Sequence, residues 1–312
     1  MQVIDKWQEF RNSSRYEDRK GAMVKRTKGT LMTILQIILI VGIAYVILSP
    51  VIGIVSRSFY SNTDLGNPMV FTIPMNPTME RYQVAWTELD YFPTLASTLI
   101  YTVGNTLLQV FICSMVGYGF ARFDFPFKKL LFGCVVLMIV IPSHTIMIPL
   151  YMTFRSMDLM GSAIPMYLLS LFGVGLRSGL FIYIFNQFFR GLPKEIEEAA
   201  FVDGAGTAYT YFFIMLVNAM PAVITVAVFS LVWQYNDMFY GNLFQIPKDD
   251  LLGRRLMTLQ SNISSSTGEK TPAILRLYVN AGVVLVMMPI LIIYLVLQKR
   301  FVEGVERSGI VG

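Results

Sequence analysis

The sequence predicts an all-α membrane protein with six transmembrane helices and both termini in the cytoplasm. Hydrophobic residues make up 54% of the 312 residues, and the mean hydropathy is +0.57. Charged residues make up only 14%, whereas soluble domains contain about 25%. The apolar residues lie in long runs, as is typical of membrane-spanning helices. Lysine and arginine are also distributed unevenly between those runs, which indicates an orientation.

Six apolar segments are long enough to cross a hydrocarbon core, which needs about 20 residues of helix. They are Leu31–Val55, Leu95–Ala121, Leu130–Phe154, Ala163–Phe188, Ile214–Phe239 and Ala273–Leu297. Three of these spans contain prolines, namely Pro142 and Pro149 in the third, Pro221 in the fifth and Pro289 in the sixth. Membrane helices tolerate prolines when neighbouring groups satisfy the freed carbonyls, so these spans are predicted to bend.

An even number of spans places both termini on one side of the membrane. The N-terminal segment, the 2–3 and 4–5 connections and the tail carry 16 Lys and Arg residues, against seven on the other side. The side with more Lys and Arg residues faces the cytoplasm. We therefore predict a multi-pass protein of the cell (inner) membrane. Its parts are a basic cytoplasmic segment 1–30, a first transmembrane helix 31–55, and a cytoplasmic tail 298–312.

The two longest connections lie on the external side in this prediction. Residues 56–94 form one external loop, and Gly241–Pro272 forms the other. Neither has the length or the apolar content of an independent domain. They either shape a vestibule or docking surface, or simply connect the spans. Between the first loop and the tail, residues 95–297 are predicted to form a core of five transmembrane helices.

Composition also argues against several functions. The chain has one histidine, His144, and two cysteines, Cys113 and Cys134, all within apolar runs. This scarcity argues against a zinc site, a disulfide framework or a Ser-His-Asp triad. The sequence contains no P-loop and no Gly-rich dinucleotide fingerprint. We therefore expect no catalytic residue, no bound metal and no nucleic-acid partner, and any ATP binds to another chain.

The cytoplasmic segment 190–213 is unusually rich in small and acidic residues. Pro193 can begin a helix, where its missing N–H costs nothing. Three glutamates follow where the helix dipole favours negative charge: Glu195, Glu197 and Glu198. Small and apolar residues share one face by i, i+3, i+4 spacing: Ile196, Ala199 and Ala200. An acidic, small-faced helix suits a protein groove better than anionic lipid, although a plain surface connector has the same composition.

The spacing in this segment resembles a known family. Glu198-Ala199-Ala200 is followed after three residues by Gly204, and after nine more by Ile214 and Leu216. This pattern resembles the EAA loop of ABC-importer permeases, and its surroundings resemble the carbohydrate, maltose-type branch. Further similar stretches extend the resemblance from about Tyr91 to the C-terminus: Ile148–Tyr151, Trp233–Asp237 and Gln298–Val302. One departure is Val217, where the family usually has proline, and this affects the kink of the fifth helix.

The resemblance implies a type I (MetI-like) permease fold and a mechanism. The segment 190–213 would carry a coupling helix seated in a cytoplasmic ATPase, with these contact positions: Glu198, Ala199, Ala200, Asp203 and Gly204. A bulky residue at Gly204 is then expected to break coupling. Two ATPase subunits would bind ATP and Mg, this chain would bind no cofactor, and a second, non-identical permease would complete a heterodimer in the lipid bilayer. An external solute-binding protein would deliver a sugar.

Several polar residues in the spans have two interpretations. Arg177 either lines the translocation pathway or makes a structural bond to carbonyls or to an acidic residue of the partner permease. Asn105 and Gln109 either line the pathway or join helices. Asn236, Asp237 and Trp233 are either a gate or sugar contact, or an interfacial aromatic belt with polar helix-end groups.

Two alternative functions remain open from sequence. One is a permease subunit for a non-sugar solute such as an amino acid, a peptide or phosphate. The other is a secondary transporter, but this class should show intramembrane carboxylates. The six predicted spans contain no Asp or Glu except Asp237 at a rim, which argues against proton coupling.

Overall fold

The computed structural model describes the backbone of residues 14–309 and the side chains of residues 29–298. The chain divides into two compact units, Met1–Arg57 and Ser58–Gly312. The described residues form helices and connecting loops without a strand. Part of the predicted basic segment 1–30 and the last three residues of the predicted tail lie outside the described residues.

The described part of the first unit, from residue 14 onward, is one long helix, α1 (Ser14–Arg57). Its apolar part, Gly29–Arg57, is long and apolar enough to cross a membrane. No part of its most apolar stretch is buried within the protein. Lipid is the solvent in which such exposed apolar side chains are stable. The predicted first span is therefore helical, and the helix extends well beyond the predicted start at Leu31.

The second unit contains the remaining helices. In chain order they are α2 (Asn62–Leu65), α3 (Glu80–Leu89), α4 (Tyr91–Arg122), α5 (Lys128–Val140), α6 (Met147–Ser156), α7 (Ile164–Leu171), α8 (Ser178–Gly191), α9 (Glu195–Val202), α10 (Thr207–Tyr209), α11 (Leu216–Asn218), α12 (Met220–Asn236), α13 (Phe239–Leu243), α14 (Leu252–Thr267) and α15 (Pro272–Gly309). A π-helical turn, Thr210–Met215, lies between α10 and α11. Two 3₁₀ turns complete the set: Ser143–Ile146 and Lys248–Asp250.

Three described helical stretches are long and apolar enough to cross a membrane: Gly29–Arg57, Tyr91–Arg122 and Pro272–Gln298. Two bent pairs bring the number to five if each pair is one span. The first pair bends by 103° between Val140 and Ser143, and the second by 77° between Asn218 and Met220. Both bends lie at or near the prolines that predicted them, Pro142 and Pro221.

The predicted fourth span, Ala163–Phe188, is not one continuous helix. α7 ends at Leu171 and α8 begins at Ser178. The linker contains two residues with positive φ, Gly173 at 69° and Arg177 at 60°. A left-handed backbone cannot continue a right-handed helix, so the break follows from the local conformation. Hydropathy alone did not reveal it because the linker is also apolar.

The two predicted external loops are more structured than simple connections. The segment 56–94 contains α2 and α3, and Gly241–Pro272 contains α14. Buried residues of α3, α14 and α15 form one apolar cluster, which includes Leu89, Leu252, Leu259, Ile263 and Leu275. Thus the two segments share a core, and helix α15 is part of it.

A second apolar cluster lies among α4, α8, the π-helical turn and α12. Its fully buried members include Cys113, Phe181, Phe185, Met215 and Val226. A third cluster joins α4, α6, α7 and α13, and includes Phe154, Met166 and Phe244. Helix α4 contributes to both of these clusters, so it is the central helix of the second unit.

Candidate functional site

The predicted coupling helix is α9, which is a separate eight-residue helix, Glu195–Val202. The backbone N–H groups of Glu197 and Glu198 both donate to the carbonyl of Lys194, at 3.0 and 3.1 Å. Three glutamates lie in the first turn, where the unpaired N–H groups and the helix dipole favour carboxylates. Leu192–Lys194 separates α9 from α8, so α9 is an independent element on the chain.

Helix α9 ends in a Schellman motif centred on Gly204. The Ala205 N–H donates to the Ala200 carbonyl at 2.9 Å, and the Gly204 N–H donates to the Phe201 carbonyl at 3.1 Å. Gly204 has a φ of 84°, a conformation that glycine adopts without strain. No atom lies within 4 Å of the position that a Cβ would occupy. Gly204 therefore shapes the backbone at the end of α9.

Four of the five predicted coupling residues are exposed: Glu198, Ala199, Asp203 and Gly204. Ala200 differs, because it is only 6% exposed. One helical turn separates it from Ile196, which packs against the core of the second unit. The single small face predicted from spacing is therefore split: Ala200 and Ile196 face inward, and Ala199 faces outward.

Sequence reasoning missed two exposed apolar residues at the end of α9. Phe201 is 46% exposed and Val202 is 85% exposed. With Ala199 they form an apolar surface on a helix whose remaining exposed residues are acidic. Their position directly after the alanine pair was visible in the sequence, but helical spacing alone does not separate an exposed apolar residue from a buried one.

The structure also gives Glu197 a partner that spacing did not reveal. The Glu197 Oε2 atom lies 3.0 Å from Arg122 Nε, and both side chains are buried. The Tyr118 hydroxyl donates to Glu197 Oε1 at 2.6 Å. Arg122 also donates to the Leu192 carbonyl at 2.8 Å. From the sequence alone, Arg122 was only one of the 16 Lys and Arg residues on the predicted cytoplasmic side.

Asn105 and Gln109 lie one turn apart on α4, and both are fully buried. Asn105 accepts from the Ser170 hydroxyl at 2.8 Å. Gln109 donates to the Leu176 carbonyl at 2.7 Å and accepts from Ser230 Oγ at 2.6 Å. These bonds join α4 to α7, to the α7–α8 linker and to α12. Both side chains therefore join helices in this structure, and a role in the translocation pathway stays a prediction.

Arg177 and Trp233 lie together. The Arg177 guanidinium carbon is 5.6 Å from the centroid of the Trp233 ring, a cation–π distance. Trp233 in turn stacks on Phe181 and Phe229, with ring centroids 5.6 and 5.4 Å apart. Arg177 is exposed in the single chain, and the described residues give it no carboxylate within ion-pair distance.

Asn236 and Asp237 lie at the end of α12, next to one another but with different surroundings. The exposed Asn236 amide donates to the Val232 carbonyl at 2.8 Å. Asp237 accepts from the Tyr240 N–H at 3.2 Å and thus holds the start of α13.

The structure also brings Gln109 close to α12 through Gln234, whose amide donates to Gln109 Oε1 at 3.1 Å. Two polar residues one turn apart in an apolar span, Ser230 and Gln234, could have indicated this hydrogen-bond network from the sequence.

Broken apolar helices around buried polar contacts are features of a polytopic membrane protein. The chain belongs to the binding-protein-dependent transport system inner membrane component family, whose model matches residues 113–307. The resemblance identified from the EAA spacing is thereby confirmed. The protein is a multi-pass inner-membrane permease of the ABC-importer class, and members of this family are not themselves the catalytic subunits.

Several relatives extend the match over most of the chain. A probable ABC transporter permease protein of Pyrococcus horikoshii is 27% identical over 269 residues, covering 85% of this chain and 92% of the relative. A diacetylchitobiose uptake system permease protein of Streptomyces coelicolor is 26% identical, with 84% of each chain covered. A melibiose/raffinose/stachyose import permease protein of Bacillus subtilis is 25% identical and covers 83% and 90%.

A solved structure confirms the MetI-like permease fold. It is a crystal structure of a bacterial ABC transporter involved in the import of the acidic polysaccharide alginate. The matched chain aligns with a TM-score of 0.73 at 19% identity, covering 88% of this chain and 98% of that chain.

Proposed function

We propose that this chain is one of two permease subunits of an ATP-driven importer for a sugar or oligosaccharide. An external solute-binding protein delivers the solute, and two cytoplasmic ATPase subunits hold ATP and Mg. The second permease is a homologous, non-identical chain, and both termini of this chain lie in the cytoplasm. The names of the relatives from Streptomyces and Bacillus support a saccharide substrate.

Helix α9 is the observation that carries the coupling proposal. It is short, independent of α8, and exposes Ala199, Phe201 and Val202 beside acidic side chains. Apolar side chains on a surface helix are stabilised when another protein covers them. The exposed carboxylates of Glu198 and Asp203 then suit basic groups on the rim of the ATPase cleft.

The proposal is tested by Ala199→Trp in the complex purified through a tag on this chain. Ala199 is exposed, so tryptophan fits the isolated chain but fills the space of the docked ATPase. We expect at least a tenfold loss of co-purified ATPase and a matching loss of saccharide uptake by cells. Ala96→Trp is the matched control. Ala96 is also an exposed alanine, and it lies near the N-terminal end of α4. It should retain both.

The substrate class needs a separate measurement. Purified solute-binding protein of the same importer should bind saccharides and leave amino acids, peptides and phosphate unbound, as measured by the shift in its melting temperature. Selective binding of a non-sugar solute overturns the sugar assignment and leaves the ATPase-coupled permease in place. Full ATPase association in Ala199→Trp contradicts the coupling assignment instead.

A further inference from the structure

Helix α9 is held to α4 by a set of buried polar contacts that we name the Glu197 clamp: Tyr118, Arg122, Glu197 and the Leu192 carbonyl. Both carboxylate oxygens of Glu197 are used, one by the Tyr118 hydroxyl at 2.6 Å and the other by Arg122 Nε at 3.0 Å. Arg122 reaches the Leu192 carbonyl at 2.8 Å as well. One arginine therefore holds both α9 and the connection that leads into it.

Burial distinguishes this ion pair from an ordinary surface pair. The Arg122 and Glu197 side chains are 6% and 9% exposed. Exposed pairs restrain their side chains weakly because water competes for both charges. A buried ion pair resists separation, because parting the charges leaves each one desolvated without a partner. Among the ion pairs of the described residues, this is the one that involves α9.

The same face of α4 also holds the segment that follows α9. Ser114, Tyr118 and Arg122 are spaced by four residues and lie on one helix face. The Ser114 hydroxyl is 2.8 Å from the Tyr211 hydroxyl, and the Tyr118 and Tyr211 ring centroids are 5.1 Å apart. Tyr211 belongs to the π-helical turn, so both flanks of the coupling segment contact one stripe on α4.

We propose that Tyr118, Arg122 and Glu197 are positioning residues that make α9 and the end of α4 move as one body. This proposal rests on the proposed function of α9 as the ATPase contact. A displacement of α9 by the ATPase then reaches α4 directly through a buried charge pair, in addition to the chain connections through α8 and the π-helical turn. Helix α4 contributes to all three apolar clusters, so its displacement moves the centre of the permease.

The test uses a neutral double variant, Glu197→Gln with Arg122→Met, which removes the charges without leaving one buried alone. The variant is assembled with its partner subunits in proteoliposomes, where ATP hydrolysis and uptake of the delivered solute are measured together. We expect the amount of co-purified ATPase to stay within twofold of the unmodified complex. Solute transported per ATP hydrolysed should fall at least fivefold, because α9 now moves without α4.

Three further variants separate positioning from simple structural support. Arg122→Lys keeps the positive charge and should retain at least half of the transport per ATP. Asp124→Asn breaks the nearby Lys128–Asp124 pair, in which Asp124 is 99% exposed, and should change neither measurement. Tyr118→Phe removes one hydrogen bond with little change in shape. If the double variant fails to assemble, Tyr118→Phe should show a smaller loss of transport per ATP with assembly intact.

The possible outcomes distinguish a failure of the Glu197 clamp from a failure of the proposed function of α9. Unchanged transport per ATP in the assembled double variant, or in Tyr118→Phe when the double variant does not assemble, overturns the clamp and leaves α9 as the ATPase contact. Equal losses of ATPase association and transport also overturn it, because the clamp then serves only to fold the docking surface. Absence of ATPase from the unmodified purified complex contradicts the proposed function itself.

Discussion

Gly204 shows how one residue of a sequence motif can act through the backbone. Its φ of 84° closes the Schellman motif at the end of α9, and a Cβ at this position would meet open space. Most non-glycine residues are strained here by about 1–2 kcal/mol for conformational reasons, whatever their size, and asparagine is strained less. The loss of coupling expected for a bulky residue at Gly204 therefore does not by itself report a partner in close contact.

We predict that Gly204→Ala weakens ATPase co-purification several-fold, while Gly204→Asn retains more of it. Asparagine adopts the left-handed conformation more readily than alanine does, although its side chain is larger. Gly206→Ala serves as the control, since Gly206 has a φ of −75° and open space around it. If alanine is tolerated better than asparagine, size rather than backbone conformation determines the effect.

Helices α4 and α8 approach each other closely at Gly117. A Cβ added there would lie 2.6 Å from Phe185 Cβ and 3.0 Å from the Asn186 backbone nitrogen. Neither atom is the flexible end of a side chain, so the two helices would have to separate. Small residues at such crossings allow membrane helices to pack backbone against backbone. The same pair of helices supports the α9 connection, so this contact positions the coupling segment.

We predict that Gly117→Ala lowers the thermal unfolding midpoint of the detergent-solubilised protein. Overpacking of a closely packed contact costs about 1–3 kcal/mol. Gly119→Ala is the matched control on the same helix, because no atom lies within 4 Å of its added Cβ. Alanine also has the higher helix propensity, so the control should be neutral or slightly stabilised. Equal midpoints for the two variants would contradict the close crossing.

For the whole molecule, the proposed orientation places two exposed apolar side chains on opposite sides of the membrane. Val202 on α9 is 85% exposed and Ile73 before α3 is 82% exposed. The excess of Lys and Arg near the termini and α9 indicates the cytoplasm for that side. Each residue can be replaced by cysteine without disturbing a core.

We predict that a membrane-impermeant thiol reagent labels Ile73→Cys in intact cells and leaves Val202→Cys unlabelled. In inverted membrane vesicles from cells that make this chain without the ATPase subunits, the pattern should reverse, because no partner then covers Val202. The native cysteines, Cys113 and Cys134, are replaced by alanine beforehand to remove background labelling. Labelling of Val202→Cys from outside would contradict the orientation, and with it the access of α9 to a cytoplasmic ATPase.

The sequence by itself determined the class of protein, the proline-linked bends of the third and fifth spans, and the family. The bend predicted at Pro289 does not interrupt the sixth span, because α15 continues through that residue. Hydropathy and fixed motif spacing are properties of the chain read in order, so they need no knowledge of packing. It also predicted a short helix between Pro193 and Gly204, because Pro193, the glutamates and Gly204 are local start and stop signals, although α9 begins at Glu195 and not at Pro193.

Only the tertiary structure decided which side chains those elements bring together. Tyr118 and Glu197 are 79 positions apart, and Gln109 and Ser230 are 121 apart, so spacing carries no information about their contact. Packing also turned Ala200 inward and left Val202 exposed on one short helix. Periodicity identifies a helix face, but the direction in which that face points depends on the neighbours against which the helix packs.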